Sequence, residues 1–163
     1  MKKLLFSLSI FALAVAATSC DGYDDKELDK VVTYEPLKQV ELNVGGTANV
    51  GAGAWTIDDT RVVKVNAEGE VTALATGVAY LDDTQATPHK MVAVTVVHET
   101  LNVQVGDEFE ITKKEGKWVG SFSSSNTDIV NVKDNKIIAV APGTCYVYNS
   151  STSPQTVYKF IVE

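Results

Sequence analysis

Residues with catalytic or ligand-binding chemistry are few in this chain. The two histidines, His89 and His98, lie in a turn and in a linker, and neither is embedded in a catalytic motif. Zinc-ligand spacings and phosphate-binding glycine loops are missing from the sequence. Three pairs of adjacent acidic residues could in principle bind calcium or hydrolyse a glycosidic bond: Asp58-Asp59, Asp82-Asp83 and Asp107-Glu108. Because each pair is expected in a turn, a role in solubility and turn geometry is favoured. The sequence predicts no enzyme, no metal site and no cofactor.

An aromatic pair is the candidate for recognition. Tyr146 and Tyr148 alternate with Cys145 and Val147, so the tyrosines share one face if the other two residues face a core. Two exposed rings can stack on a sugar or on the apolar surface of a partner. The alternative is that Tyr146 and its counterpart Tyr80 are ordinary cross-strand stabilisers. With Cys145 and Val147 facing the core, Cys145 is expected to be a small buried thiol. The candidate binding residues are Tyr146, Tyr148 and Trp118.

The N-terminus has the features of an export signal. Lys2 and Lys3 precede an apolar run, residues 4–17, that is too short for a permanent membrane span. The run ends in Ala-Thr-Ser-Cys, which resembles the lipobox of bacterial lipoproteins. This resemblance implies that Cys20 carries the lipid and anchors the chain to a membrane. The alternative is ordinary cleavage near Ala16 or Ser19, which would leave Cys20 as an incidental thiol.

Residues 20–36 form an acidic tether after the signal. The sequence DGYDDKELDK has no apolar periodicity and is typical of a solvated linker. An acidic cluster here resembles the surface-export signal of Bacteroidota lipoproteins, which implies a surface-exposed outer-membrane protein. Asp21 directly after the cysteine instead resembles an inner-membrane retention signal in many other bacteria. A linker without sorting content is the third interpretation.

The charge of the chain argues against nucleic acid as a partner. The formal net charge is −7, and removal of Lys2 and Lys3 with the signal leaves 12 of 14 basic residues beside 21 acidic ones, a balance of −9. Binding of phosphate backbones requires clustered cations. The densest basic group consists of Lys113, Lys114 and Lys117 and is interrupted by Glu115.

Two copies of one small unit make up the remainder. AWTIDDTRVVKV at residues 54–65 aligns with SFSSSNTDIVNV at residues 121–132, and this alignment brings Gly77 within one residue of Gly143. Short runs rich in Val, Ile, Tyr and Thr recur between turn residues and predict strands throughout. In the first copy they are 40–44, 47–50, 54–57, 62–65, 70–75, 78–82 and 90–97. In the second they are 101–105, 108–112, 119–123, 129–132, 136–141, 144–149 and 157–162.

Seven short alternating strands per copy, without a helix candidate, predict an all-β fold of two tandem immunoglobulin-like β-sandwiches. The segments NAEGEVTA and ATGVAY, and more closely SFSSSNTDIVNVKDNKIIAVAPGTCYVY, resemble bacterial immunoglobulin-like group 2 domains over about residues 40–163. The first copy departs from that pattern at residues 56–59, and we expect a missing or distorted edge strand there. The predicted segments are 1–19 for the signal, 20–36 for the tether, and 37–98 and 99–163 for the domains.

The two domains are expected to contact each other. A copy of about 60 residues buries only about 60 % of its unfolded surface and is marginal alone. The predicted linker, residues 98–100, is short enough to restrict their orientation and favours a bent rigid rod. One larger sandwich that shares strands across both copies is the competing architecture.

These features predict a non-enzymatic, lipid-anchored envelope protein that serves as a spacer or as an adhesion and binding module. A carbohydrate-binding surface lipoprotein and an accessory subunit of an envelope complex are the alternatives, so a glycan and an envelope protein are the candidate partners. Recognition is expected in the second copy, because it has more aromatic residues to act as rigid anchors.

Overall fold

In a computed structural model, the described residues are 34–112 and 115–163, and they are built from strands and turns. The signal segment, Cys20 and the tether up to residue 33 lie outside the described residues, as do Lys113 and Lys114. The described residues belong to a single compact unit. Within them, no helix is long and apolar enough to cross a membrane.

The first repeat contributes seven strands, at the places where alternating apolar residues predict them. They are β1 (Lys38–Asn43), β2 (Thr47–Asn49), β3 (Thr56–Ile57), β4 (Val63–Val65), β5 (Glu70–Ala73), β6 (Gly77–Asp83) and β7 (Lys90–Val97). The second repeat contributes the equivalent seven. They are β8 (Glu99–Val103), β9 (Glu108–Glu110), β10 (Phe122–Ser124), β11 (Val130–Lys133), β12 (Lys136–Ala139), β13 (Gly143–Asn149) and β14 (Thr156–Val162).

Each repeat forms a two-layered sandwich of a four-stranded and a three-stranded sheet. The strand orders are β1-β7-β6-β3 and β2-β5-β4 in the first repeat, and β10-β13-β14-β8 and β11-β12-β9 in the second. Most neighbours are antiparallel, whereas the first strand of each repeat pairs in parallel with the last. Among the described strands, every sheet takes its members from one repeat. The all-β prediction of two tandem sandwiches is confirmed.

Separate hydrophobic cores lie between the two layers of each sandwich. The first contains Val63 and Val71 from the smaller sheet against Leu81 and Val94 from the larger one. The second is richer in aromatic rings, among which Phe160 is fully buried. Burial of such side chains is the main favourable term in folding. Along the strands these inward side chains alternate with outward ones, as the pleat of a β-strand requires.

Cys145 lies in the core of the second repeat and is only 3 % exposed. It is a free thiol, and its sulfur lies 3.9 Å from the hydroxyl of Ser124. Burial raises the pKa of the Cys145 thiol, against the weaker opposing effect of Ser124. The prediction of a small buried side chain at this position is confirmed.

Glycine is required at the same point of both repeats, where β6 and β13 begin. Gly77 has φ 148° and Gly143 has φ 150°. A Cβ on Gly77 would lie 2.7 Å from Val62, and one on Gly143 would lie 2.7 Å from Ile129. Both contacts are far inside normal van der Waals distance, and both backbone angles disfavour other residues. The sequence alignment of the repeats therefore corresponds to a real structural equivalence.

Most strand boundaries differ by one to three residues from the predicted ones; three of these differences are notable, and pairing explains two of them. β1 begins at Lys38 because that residue already pairs with Val92 in β7. β8 begins at Glu99 because it pairs with Tyr158, so His98 is the sole residue between the two repeats. The third difference is β3, which is present but consists of two residues, in agreement with the expected distortion of this edge.

Candidate functional site

A cleft of about 610 Å³ lies between the outward faces of the two four-stranded sheets. The first repeat lines it with residues at the start of β1, on β6 and on β7, namely Leu37, Gln39, Val78, Tyr80, Ala93 and Thr95. The second repeat lines it with residues beside or on β10, β13 and β14, namely Ser123, Ser125, Tyr146, Tyr148 and Gln155. Among these lining residues, none carries a charge at neutral pH.

Strand alternation explains why these side chains reach the cleft. On β13, Cys145 and Val147 point into the core, so Tyr146 and Tyr148 must point to the opposite face. On β6, Leu81 points inward, and Tyr80 therefore points outward in the same way. The tertiary fold turns these two outward faces toward each other.

The Tyr146 and Tyr148 rings lie side by side, with centroids 6.5 Å apart and planes inclined by 35°. Both tyrosines are half-buried, whereas Tyr80 is 43 % exposed. Burial raises the pKa of Tyr148, and the nearby Tyr80 adds to this effect. Three tyrosines from two repeats therefore share one cleft.

Glu41 on β1 connects the two repeats beside the cleft. Its carboxylate accepts hydrogen bonds from the Tyr146 hydroxyl and from Lys159 Nζ, the latter at 2.8 Å. Partial burial opposes ionisation of Glu41, but these two bonds outweigh it and hold the pKa of the carboxyl below its usual value. Burial, together with the bond to Glu41, raises the pKa of Tyr146 far above its usual range. This cluster fixes the position of the Tyr146 ring.

A second set of contacts joins the turn before β14 to the first repeat. Arg61 Nη1 donates to Ser153 Oγ at 2.8 Å, and Thr76 Oγ1 donates to the carbonyl oxygen of Gln155 at 3.1 Å. Asp59 holds the Arg61 guanidinium at 2.7 Å. Hydrogen bonds from Arg61 keep the pKa of the Asp59 carboxyl below its usual value.

The joint between the repeats is closely packed. His98 N donates to the carbonyl oxygen of Val157 at 2.8 Å, and its ring stands edge-on to Tyr158. Val97 and Val157 are 1 % and 0 % exposed, yet they are members of neither sandwich core. They are buried where β7 and β14 meet, so apolar packing restrains the joint in addition to the hydrogen bonds.

The three candidate binding residues have different surroundings. Tyr146 and Tyr148 line the cleft, where they face the first repeat. Trp118 is 9 % exposed and packs in the second core between Phe109 and Tyr158, so the structure places its ring among core residues. Whether any of the three binds a ligand stays a prediction. Cys20 lies outside the described residues.

The candidate residues predicted from the sequence all lie in the second repeat, whereas the first repeat also lines the cleft. Tyr80, Gln39 and Thr95 were not among the candidate residues, although they line the same cleft as Tyr146. A signal for Tyr80 existed, because the repeat alignment makes it the counterpart of Tyr146. For Gln39 and Thr95 no sequence motif would have given a reason to select them.

At least one carboxylate of each acidic pair binds a neighbouring backbone amide. Asp58 Oδ1 accepts from the amide of Tyr80 at 2.8 Å, and Asp107 Oδ2 accepts from the amide of Gln104 at 2.9 Å. Asp83 is 4 % exposed and accepts from the amide of Gln85. These bonds stabilise turns and strand connections. Within the described residues, no three His, Cys, Asp or Glu side chains converge to hold a metal ion.

Comparisons with known proteins add little to this description. No protein-family model matches the sequence, and no curated protein matches it. The solved S-layer protein SbsC, residues 31–844, matches 69 % of this chain at 16 % identity and a TM-score of 0.27, and this chain spans 20 % of its length. The match to the titin immunoglobulin tandem A164-A165 covers 77 % of this chain and 92 % of the titin chain, at 12 % identity and a TM-score of 0.25. With TM-scores this low, neither likeness supports an argument about fold or function.

Proposed function

We propose that this protein is a non-enzymatic, lipid-anchored component of the cell envelope whose two immunoglobulin-like repeats form a stiff binding module. The observation that carries the proposal is the restrained joint, in which a single residue, His98, separates β7 from β8. Hydrogen bonds from Arg61, Thr76, Tyr146 and Lys159 cross between the repeats on either side of that joint.

A stiff joint suits both a spacer and a binding module. A spacer needs a fixed orientation to hold a surface at a set distance from its anchor. A binding module gains affinity when its contact residues are ordered before the ligand arrives, because less conformational entropy is lost on binding. The cleft between the repeats favours the binding role over a pure spacer.

The envelope location rests on the sequence. The apolar run of residues 4–17 before Cys20 supports export and lipid attachment, and the acidic tether supports the surface of a Bacteroidota-type outer membrane. The resemblance of residues 40–163 to bacterial immunoglobulin-like group 2 domains is in keeping with an extracytoplasmic protein. Several acyl chains on Cys20 would anchor the chain essentially permanently.

Replacement of Cys20 tests the anchor. We expect Cys20→Ala to move the protein from the membrane fraction to the soluble fraction and to abolish incorporation of labelled palmitate. Cys145→Ala is the matched control, because that buried thiol is not an attachment point, and it should remain with membranes. Protease added to intact cells should degrade the anchored protein, because the proposed location is the cell surface. Membrane association of Cys20→Ala, together with unlabelled wild-type protein, would refute the proposal.

A further inference from the structure

We propose that the cleft between the repeats binds a neutral oligosaccharide and that both repeats supply essential contacts. The inference rests on the proposed function, since it assigns a ligand class to the binding module. It follows from one juxtaposition: Tyr80 of the first repeat and Tyr146 and Tyr148 of the second line an uncharged cleft together with hydroxyl and amide side chains.

The tyrosines provide the stacking surface. The ring centroids of Tyr146 and Tyr148 are 6.5 Å apart, so the two rings offer neighbouring apolar faces along the cleft. Tyr80 adds a third, partly exposed ring from the other side. Tyrosine supplies a large rigid contact area at a low cost in conformational entropy, and its hydroxyl supplies a polar group at the edge. Sugar rings have matching chemistry, with apolar C–H faces and hydroxyls around the rim.

The polar groups of the cleft match hydroxyls better than charges. Gln39 and Gln155 present amides, and Thr95, Ser123 and Ser125 present hydroxyls. Each of these groups both donates and accepts hydrogen bonds, as sugar hydroxyls do. An acidic sugar or a charged peptide would lose its hydration without gaining an opposite charge from the lining, which is unfavourable.

The size and rigidity of the cleft agree with this assignment. Its volume of about 610 Å³ lies within the range of about 300–1,000 Å³ found for small-ligand sites. Glu41 holds the hydroxyl of Tyr146, so one stacking ring is ordered without ligand. The Lys159 ammonium is paired with the same carboxylate at 2.8 Å and does not line the cleft. The cleft is thus a preorganised, neutral site.

Titration calorimetry on the purified full chain in detergent tests the inference. The probes are four neutral hexasaccharides, namely cellohexaose, xylohexaose, maltohexaose and mannohexaose, with hexagalacturonate as the anionic comparison of equal length. We expect at least one neutral hexasaccharide to bind with a Kd of about 1 mM or tighter, and hexagalacturonate to bind at least about tenfold more weakly. Tyr148→Ala and Tyr80→Ala should each weaken binding by about tenfold or more.

Two further variants separate a lost contact from a lost fold. Tyr148→Phe keeps the ring and should bind within about threefold of the wild type. Tyr34→Ala removes a 59 % exposed tyrosine that does not line the cleft, and its affinity should be unchanged. The melting temperature of every variant shows whether it is folded.

The inference would be overturned by no binding of any neutral hexasaccharide, by equal binding of hexagalacturonate, or by full binding by a folded Tyr80→Ala variant. The last would restrict recognition to the second repeat. Stoichiometric capture of a protein in the cleft, blocked by Tyr148→Ala, would also overturn it. None of these results would change the outcome of the Cys20→Ala experiment. A chain that stays on membranes through Cys20 keeps its proposed role in the envelope even if it binds no glycan.

Discussion

At the scale of single residues, the backbone angle and the local space at Gly143 exclude any side chain. We expect Gly143→Ala to lower the free energy of unfolding by about 1–3 kcal/mol, because φ of 150° is strained for alanine and the new Cβ would lie 2.7 Å from Ile129. Urea unfolding followed by circular dichroism measures this difference.

Gly106→Ala is the matched control for that substitution. Gly106 also has a positive φ, of 96°, but no atom lies within 4 Å of the position of its Cβ. Gly106→Ala should therefore lose free energy of unfolding through backbone strain alone, and the loss should be smaller than for Gly143→Ala. Equal losses for the two variants would show that the contact with Ile129 is relieved by movement of that side chain.

The thiol of Cys145 should react slowly in the native protein. Its burial removes the sulfur from reagents, and its raised pKa keeps the thiol protonated at neutral pH, whereas the thiolate is the nucleophile. In the Cys20→Ala variant, where Cys145 is the remaining cysteine, a disulfide reagent should react at least about tenfold faster after unfolding in urea. Rapid native-state modification would contradict the buried position.

At the scale of elements, Glu41 on β1 couples the two four-stranded sheets. Glu41→Gln should loosen the contact, because a neutral amide binds Lys159 less strongly than a carboxylate does. The expected loss is below about 1 kcal/mol, since the pair is partly exposed to solvent. Spin labels on cysteines introduced at the exposed Leu74 and Val140 report the effect as a broader distance distribution between repeats.

The same contact should depend on pH. The pKa of Glu41 is lower in the folded chain than its ordinary value of 4.5, so its stabilising contribution is present above pH 4.5. It is lost as pH falls through the lower folded value and the carboxyl becomes protonated. The distance distribution between repeats should therefore broaden in acid in the wild type. In Glu41→Gln it should already be broad at neutral pH and should not broaden further in acid.

Glu108→Gln provides the control at this scale. Glu108 on β9 pairs with Lys136 on β12 at 2.6 Å, within one repeat. Its replacement removes a salt bridge of similar exposure without affecting the joint, so the distance distribution should stay narrow. If Glu108→Gln and Glu41→Gln broadened it equally, the effect would not come from the contact between repeats.

At the scale of the whole molecule, the two repeats should stabilise each other. A fragment of residues 34–98 exposes Val97, which is 1 % exposed in the chain, and burial of one such side chain contributes about 1.5–3 kcal/mol. We expect this fragment to unfold at a lower temperature than the same repeat in the full chain. Calorimetry of the fragment, of residues 99–163 and of the full chain makes the comparison. Identical melting temperatures in isolation and in the chain would show that the repeats are independent.

Local patterns in the sequence account for the strands, the repeat and the inward-facing residues. All of these depend on local properties: period-two alternation, as in Cys145 and Val147, and turn residues between strands. The equivalence of Gly77 and Gly143 was also visible in the sequence, because alignment of the two repeats brings these glycines within one residue of each other. Only pairing decided the first residues of β1 and β8, since Lys38 and Glu99 are strand residues through their partners Val92 and Tyr158.

The way in which the outward faces meet depends on contacts between distant parts of the chain. The hydrogen bonds that Glu41 accepts from Tyr146 and Lys159 join residues 105 and 118 positions apart, and no local pattern encodes such contacts. Trp118 was expected to be available for binding, yet packing of the aromatic residues around it placed its ring in the core. Tyr80 reaches the same cleft as Tyr148 because a joint of one residue, with Val97 and Val157 buried beside it, sets the orientation of the two sandwiches.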